Sequence, residues 1–183
     1  TFNTLGLVTD GSEQTDEFKF EGLSSEWKYK LSDPTADAIG SLLYGEVTTN
    51  FQEVELEQKL ILGKNIDRLV LAFNAIAEEE WEFTRDETET ELSLEFTAGA
   101  SYRFTDHFAI GLELREKNVF PEIEDLEHAA FFAGPAIHFN RDRWWATLTI
   151  LPQIAALKGS TGDGVDLDEF ERAEIRLIFG INL

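Results

Sequence analysis

The sequence predicts an all-β protein, an antiparallel up-and-down β-barrel that spans a membrane. Three observations support this fold class: apolar residues recur at every second position, several of these runs exceed ten residues, and short turns alternate with mostly longer, acidic loops. Side chains that alternate between two faces are typical of strands. Strands in soluble sandwiches average about five or six residues, so long strands in series favour a tilted barrel.

Length and composition narrow the classes of protein. The chain has 183 residues, which suits a single domain over residues 1–183. Its 36 acidic and 15 basic side chains give a formal net charge of −21, and it contains no cysteine. The charge argues against nucleic acid as a partner, because phosphate binding needs a basic face. The lack of cysteine excludes a disulfide framework and a cysteine metal site.

The alternation predicts ten strands. The last one shows the pattern clearly, with apolar residues at every second position from Ala173 to Leu183. In chain order the strands are expected near residues 1–8, 18–31, 38–48, 53–63, 67–82, 90–104, 107–118, 128–140, 143–156 and 170–183. Residues 122–128 are expected to form either a helical turn or a loop. Because the first residue already lies in a strand pattern, we expect sequence upstream. If two strands are missing there, the full barrel has about twelve.

The connections fall into two sets that alternate along the chain. The short set comprises residues 32–37, 63–66, 105–106 and 141–142, and the other comprises residues 9–17, 49–52, 84–89, 119–127 and 157–169. Short turns at one rim and long loops at the other are typical of outer-membrane barrels. Pro135 and Pro152 lie inside strand patterns, and each is expected to mark a bulge or a weakened pairing.

Aromatic residues cluster near the predicted strand ends. This placement is typical of the girdles that transmembrane barrels carry at both membrane interfaces. The alternative is that these rings cap the core of an ordinary β-protein. The predicted girdle consists of Trp27, Tyr29, Trp81, Tyr102, Phe104, Trp144 and Trp145.

If the apolar set faces lipid, charged residues at the intervening positions face the lumen. Burying unpaired charges in a dry core is costly, so the lumen must be wet or filled with ion pairs. Three interpretations stay open: a lattice of ion pairs that fills the barrel, a polar pore with a mild cation preference, and a specific binding site. We expect Glu95 to reach Arg115. The predicted pore-lining residues are Glu55, Glu57, Lys59, Asn74, Glu95, Arg103, Glu113, Arg115, Glu174 and Arg176.

Several segments resemble known outer-membrane proteins. Residues 102–114 (YRFTDHFAIGLEL) resemble a tight periplasmic hairpin, and residues 173–183 (AEIRLIFGINL) resemble the C-terminal assembly signal, here Ile175, Leu177, Phe179, Ile181 and Leu183. That signal usually ends in Phe or Trp, so Leu183 departs from it. Together with residues 24–34, 143–153 and 167–180, these segments resemble an uncharacterised bacterial family of porin-like outer-membrane barrels, a domain of unknown function. The resemblance implies a bacterial outer-membrane location and contact with membrane lipids and lipopolysaccharide.

Motifs for chemistry are weak. The histidines His107, His128 and His138 lack the spacing of helical metal ligands. The acidic loop around Asp163 and Asp166 offers oxygen atoms for Ca²⁺, but its spacing is not that of an EF-hand and a solvated loop is the favoured interpretation. We therefore assign no catalytic residue, no metal and no cofactor.

The leading functional prediction is passage of a small solute or ion through the barrel without chemistry. The first alternative is a plugged barrel that anchors a protein partner at the outer membrane. The second is an outer-membrane lipid hydrolase with its triad on strands. The third is a soluble ligand-binding barrel, in which the apolar set would point inwards.

Overall fold

The computed structural model describes residues 23–50, 52–84 and 87–181. They form one antiparallel sheet in which each strand pairs with the next along the chain, which confirms the all-β up-and-down prediction. The strands are β1 (Leu23–Ser32), β2 (Gly40–Thr49), β3 (Glu53–Ile66), β4 (Leu69–Phe83), β5 (Thr88–Arg103), β6 (Phe108–Pro121), β7 (His128–Arg141), β8 (Trp144–Lys158) and β9 (Ala173–Ile181). None of the described residues forms a helix long and apolar enough to cross a membrane.

These nine strands correspond to the predicted strands from the second to the tenth. The predicted strand near 1–8 and the loop 9–17 lie outside the described residues. Within the described ranges, β1 and β9 each pair with one neighbour, so the sheet has two edges there and is not closed into a barrel. Residues 122–127 form a loop and not a helical turn, and Glu122 and Ile123 have positive φ angles of 55° and 58°.

The predicted alternation of short and long connections is observed only in part, because the β1–β2 connection (residues 33–39), predicted to be short, is longer than the β6–β7 connection (residues 122–127). It holds from β5 to β9. β3 and β4 are joined by Asp67 and Arg68, and β7 and β8 by Asp142 and Arg143. Asp67 and Asp142 have positive φ angles of 51° and 43°, the left-handed conformation that tight hairpin turns require. The longest connection at the opposite rim is the β8–β9 loop, residues 159–172.

Ion pairs between strands that are not neighbours show that the sheet has a concave and a convex face. Arg115 on β6 forms an ion pair with Glu174 on β9, and Arg176 on β9 donates a hydrogen bond to Glu113 on β6. Neighbouring strands lie about 4.8 Å apart, so a flat sheet would separate β6 and β9 by about 14 Å. Contact between their side chains therefore requires the sheet to curve towards the face that carries them, which we call the concave face.

The opposite, convex face is apolar and open to solvent on every strand. Leu177 is 68% exposed and Tyr29 69%, which is far above the exposure of core residues. The exposed set includes Leu23, Trp27, Leu43, Leu60, Phe73, Phe96, Ile110, Leu112, Ile137, Trp144, Leu148, Ile150, Ile175 and Phe179. Soluble monomers rarely expose contiguous apolar surface on this scale. Exposed apolar surface of this size is typical of faces that contact lipid or another protein.

The main buried apolar cluster lies on the concave face, under the β8–β9 loop. Val119, Ala130, Phe132 and Leu151 come from β6, β7 and β8, and Phe170 comes from the loop. The rings of Phe132 and Phe170 meet edge to face with centroids 6.1 Å apart. The loop thus folds inward over the sheet.

The predicted weakening at the two prolines is confirmed. Between Phe132, opposite Gln153, and Ala136, opposite Thr149, β7 and β8 have no paired residues, and this gap contains Pro135 and Pro152. Proline has no N–H to give to a ladder. Gly134 lies in the same gap, where a Cβ atom would overlap the carbonyl oxygen of Ile150.

Candidate functional site

All ten predicted pore-lining residues lie on the concave face. Register demonstrates this directly, because residues opposite one another in an antiparallel pair share a face. Glu57 lies opposite Glu78, Glu78 opposite Ser93, and Ser93 opposite Val119. Arg115 lies opposite Thr97 in β6 and β5, the strands of Val119 and Ser93, and shares their face. The sequence pattern thus assigned these side chains to one surface, and their lining of a pore stays a prediction.

Two arginines organise an ion-pair lattice on β5, β6 and β9. Arg115 Nε lies 3.4 Å from Glu95 Oε2, and the same guanidinium pairs with Glu174. Arg176 Nη2 lies 2.6 Å from Glu113 Oε1, and its Nη1 lies 3.8 Å from Glu174 Oε1. The predicted contact between Glu95 and Arg115 is confirmed. The lattice ties β9 to β5 and β6 across the two intervening strands.

Small side chains on β7 and β8 make room for this lattice. Glu113 lies opposite Gly134, and Arg176 lies opposite Thr149, which itself faces Ala136. Long side chains at these positions would separate the charged groups.

The Arg115 guanidinium also lies 5.2 Å from the centre of the Phe132 ring.

The other predicted pore residues lie nearer β1 to β5. Lys59 Nζ lies 2.8 Å from Glu57 Oε1, and Asn74 Nδ2 donates to Thr97 Oγ1 at 2.8 Å. Arg103 donates to the carbonyl oxygen of Asp67 at 2.6 Å, which places its guanidinium at the rim of short turns.

Eight glutamates form the acidic array, a set of three rows that cross β3, β4 and β5 on the concave face. Identical charges directly opposite one another destabilise a sheet. The rows are Glu53–Glu82–Glu89, Glu55–Glu80–Glu91 and Glu57–Glu78, the last ending opposite Ser93. The array continues across β2, where Glu46 faces Glu57.

Along the strands, the acidic array on the concave face extends further than the apolar run on the convex face. On β4 that run goes from Leu69 to Ala77 and ends at Glu79, so Glu80 lies beyond it. Burial, together with the carboxylates of Glu53 and Glu91, raises the pKa of Glu80. These carboxylates therefore favour any cation or proton that reduces their repulsion.

The predicted girdle residues divide between the two faces. Trp27, Tyr29, Trp81, Tyr102 and Trp144 lie on the convex face, and Phe104 follows β5 with its ring 5.1 Å from that of Tyr102. Trp145 lies on the concave face opposite Gly180, where a Cβ atom would overlap its ring.

Four residues of the predicted assembly signal lie on the convex face of β9. Ile175, Leu177, Phe179 and Ile181 are each at least 58% exposed. The Phe179 ring stacks on Trp144 with centroids 5.9 Å apart. Leu183 lies outside the described residues.

Sequence reasoning missed the contact that fastens the β8–β9 loop. Asp166 in the loop is fully buried, and its Oδ2 lies 2.7 Å from Nδ1 of His128 at the start of β7. Its Oδ1 accepts hydrogen bonds from the backbone N–H groups of Asp168 and Glu169 at 3.2 and 3.3 Å. We call the His128–Asp166 pair the loop latch.

The Gln153 side chain completes the latch. Its Nε2 donates to the Asp166 carbonyl at 2.9 Å, and its Oε1 accepts from the Asp166 N–H at 2.6 Å. The Asp166 carboxylate thus serves as an anchor already occupied by protein donors. Among the described residues, no group of three or more His, Cys, Asp or Glu side chains is arranged to hold a metal ion. Near Asp166, the sequence offered only an aspartate followed by a turn as a signal for this contact. Its partner His128 lies 38 residues away along the chain.

The loop latch is expected to weaken as pH rises. The hydrogen bond to Asp166 raises the pKa of His128 above 6.5, and partial burial opposes this shift. His128 precedes the apolar run of residues 131–139 on β7, at the loop rim. Since the folded-state pKa is the higher one, the stabilisation is complete below the unfolded value and is lost as pH rises through the folded value.

Limited proteolysis of residues 159–172 measures this effect. Cleavage is expected to be slow at about pH 5 and faster at about pH 9, on the two sides of the histidine range. His128→Gln should abolish the pH dependence, whereas His107→Gln should retain it. An unchanged pH profile in His128→Gln would contradict the assignment.

Comparison with known proteins gives a family and no activity. Residues 1–183 match DUF6662, a family of unknown function. No curated protein and no solved structure matches the chain.

Proposed function

We propose that this chain, which belongs to the family of unknown function DUF6662, is a porin-like β-barrel of the bacterial outer membrane through which small solutes or ions pass, with a preference for cations. One observation carries the proposal: the convex face exposes apolar side chains on every strand, while the concave face holds the charges. This is the reverse of a soluble β-protein, in which apolar side chains point inwards.

The dimensions of the convex face support a membrane location. Its apolar runs extend from Leu69 to Ala77 on β4, from Leu94 to Tyr102 on β5 and from Ala173 to Ile181 on β9. Crossing a bilayer takes about 9–11 residues of tilted strand. Lipid tails, with lipopolysaccharide in the outer leaflet, are the partners proposed for this face. Closure of the barrel is part of the proposal and requires that the edges of β1 and β9 be joined.

The charges of the concave face support a cation preference. Among the described residues, the only ion pair of the acidic array is that of Lys59 with Glu57. A channel wall of one sign concentrates ions of the opposite sign. Glu57 lies in this array and Glu113 lies in the arginine lattice. Both carboxylates would therefore contribute to the potential along the passage.

Conductance of the refolded protein in a planar bilayer tests the proposal. We expect single-channel steps with a reversal potential shifted towards cations. Glu57→Gln and Glu113→Gln should each reduce that shift, while Asp142→Asn, in a short turn, should leave it unchanged. A protein that inserts without conducting would contradict an open passage, and one that never inserts would contradict the membrane location.

A plugged barrel that anchors a protein partner is the second candidate. The β8–β9 loop favours it, because Phe170 packs against Phe132 and Asp166 is buried on the concave face. The ion pairs of Arg115 and Arg176 fill part of the same face. Silent insertion of a folded protein is the result expected for this function.

A further inference from the structure

The convex face sorts its charged residues by rim. Towards the long loops, its apolar runs on β4 and β6 end at Glu79 and Glu116. Towards the short turns, the same face carries Lys64 near the end of β3 and Arg141 at the end of β7, each opposite a convex-face residue of the next strand. Basic groups therefore border the apolar surface at the short-turn rim.

These two bases differ from the lysines and arginines that form ion pairs. Within the described part of the chain, the five lysines and arginines in ion pairs all lie on the concave face: Lys28, Lys30, Lys59, Arg115 and Arg176. None of the described carboxylates pairs with Lys64 or Arg141, although the chain has 36 acidic side chains. The convex bases therefore keep a charge that an anionic partner can neutralise.

Lys64 lines a cavity of about 250 Å³ on the convex side of β3 and β4. The other residues that line it are apolar, and the largest are Ile39, Leu62, Leu71 and Phe73. Phe73 is 39% exposed and Ile39 55%, so the cavity is accessible from outside the sheet. Sites for drug-sized ligands are typically about 300–1,000 Å³. The size of this cavity therefore suits part of one hydrocarbon chain.

The Lys64 ammonium is held at the level of the turns. Its Nζ donates a hydrogen bond to the carbonyl oxygen of Asp37, in the connection between β1 and β2. Lysine side chains at a membrane interface lay their methylenes along apolar surface and keep the ammonium in the polar region. An ammonium has three N–H donors, and the contacts among the described residues use one of them, for Asp37. The remaining donors are available to a ligand.

An apolar cavity bordered by an ammonium selects an amphiphile with a negative head. A free inorganic anion would contact the ammonium but leave the cavity empty. An uncharged lipid would fill the cavity but leave the ammonium without a counter-charge. The phosphodiester of a glycerophospholipid carries its negative charge a few atoms from the start of its acyl chains, so it can contact Lys64 and the cavity at the same time.

We propose that Lys64 and the cavity beside it bind one glycerophospholipid at the short-turn rim, with its phosphate on the ammonium and the start of an acyl chain in the cavity. Arg141 marks the same headgroup level on β7. This inference deepens the proposed function by naming a lipid partner and its place, and it rests on that function only for the membrane that supplies the lipid. Binding itself requires the ammonium and the cavity, and not an open passage.

Native mass spectrometry of the refolded full chain, released from a neutral detergent, tests the inference with dilauroyl phosphatidylglycerol as the probe. We expect saturable retention of this lipid, which Lys64→Gln weakens by about fivefold or more because the headgroup loses its cation. Leu71→Trp, which fills the cavity and keeps the ammonium, should weaken retention to a similar extent. Lys64→Arg keeps the charge and should hold the lipid within about twofold of the original chain.

Lys30→Gln is the matched control, because Lys30 lies at the same rim but on the concave face, in an ion pair with Asp33. Its loss should leave retention within about twofold. Equal losses in Lys30→Gln and Lys64→Gln would overturn the inference, because general attraction to the rim would then explain both. Circular dichroism of each variant confirms that a lost signal is not lost fold.

Two further ligands identify the source of the binding. Dilauroylglycerol has the same chains without the phosphate, and glycerol phosphate has the phosphate without the chains. Retention of dilauroylglycerol as strong as that of the phospholipid would overturn the inference, and so would displacement of the phospholipid by an equal concentration of glycerol phosphate.

The outcomes separate this inference from the proposed function. Conductance without selective retention of the phospholipid would overturn the site and leave the passage intact. Selective retention by a chain that inserts without conducting would support the site and contradict the passage.

Discussion

Arg115→Met is expected to lower the free energy of unfolding by about 3 kcal/mol, the low end of the range for breaking a buried ion pair. The Arg115 side chain is 14% exposed and serves two carboxylates, Glu95 and Glu174. Methionine keeps much of the length and the apolar contact with Phe132. It leaves Glu95 without its ion-pair partner and Glu174 with only the longer contact to Arg176, at 3.8 Å. Urea unfolding in detergent micelles, followed by tryptophan fluorescence, measures the loss.

Two control variants distinguish lost charge pairing from lost packing. Arg115→Met combined with Glu95→Gln and Glu174→Gln should recover most of the stability, since no unpaired charge remains. Arg143→Met, in the exposed β7–β8 turn, should change the free energy of unfolding by less than about 0.5 kcal/mol. Equal stability of Arg115→Met and Arg143→Met would show that the lattice does not hold β9 to β6.

Phe170→Ala is expected to release the β8–β9 loop, at a cost of about 3–5 kcal/mol for a buried phenylalanine. The Phe170 ring is 6% exposed and packs edge to face on Phe132 in the main apolar cluster. Without it, only the loop latch and hydrogen bonds from β8, such as those of Gln153 to Asp166, would hold the loop over the concave face. Faster proteolysis within residues 159–172 measures the release, and higher single-channel conductance is expected if the loop narrows the passage.

Leu167→Ala is the matched control for this truncation. Leu167 lies in the same loop but is 44% exposed, so its truncation should cost less than about 0.5 kcal/mol. Equal protease sensitivity of the two variants would contradict the role of Phe170. Faster proteolysis of Phe170→Ala without any change in conductance would show that the loop does not restrict the passage.

The sequence by itself determined the strands and the faces of their side chains. Successive side chains of a strand point to opposite faces because the strand is pleated. This alternation is the same whichever strands are paired in the sheet. It therefore placed Glu57, Glu113 and Arg176 on one face and Trp144 on the other without knowledge of pairing. The weak pairing at the prolines and the two-residue turns after β3 and β7 follow for the same reason, because each depends on local backbone chemistry.

Only the tertiary structure decided which charges meet across strands that are not neighbours and what covers the concave face. Arg115 reaches Glu174, 59 residues away, because the sheet curves, and local periodicity carries no information about curvature. The loop latch joins His128 to Asp166, which the sequence offered only as separate loop residues. Trp145 follows the alternation of β8 onto the concave face, whereas its aromatic character had suggested the girdle. Residue type and spacing are local properties, while these contacts depend on how distant strands and loops are brought together.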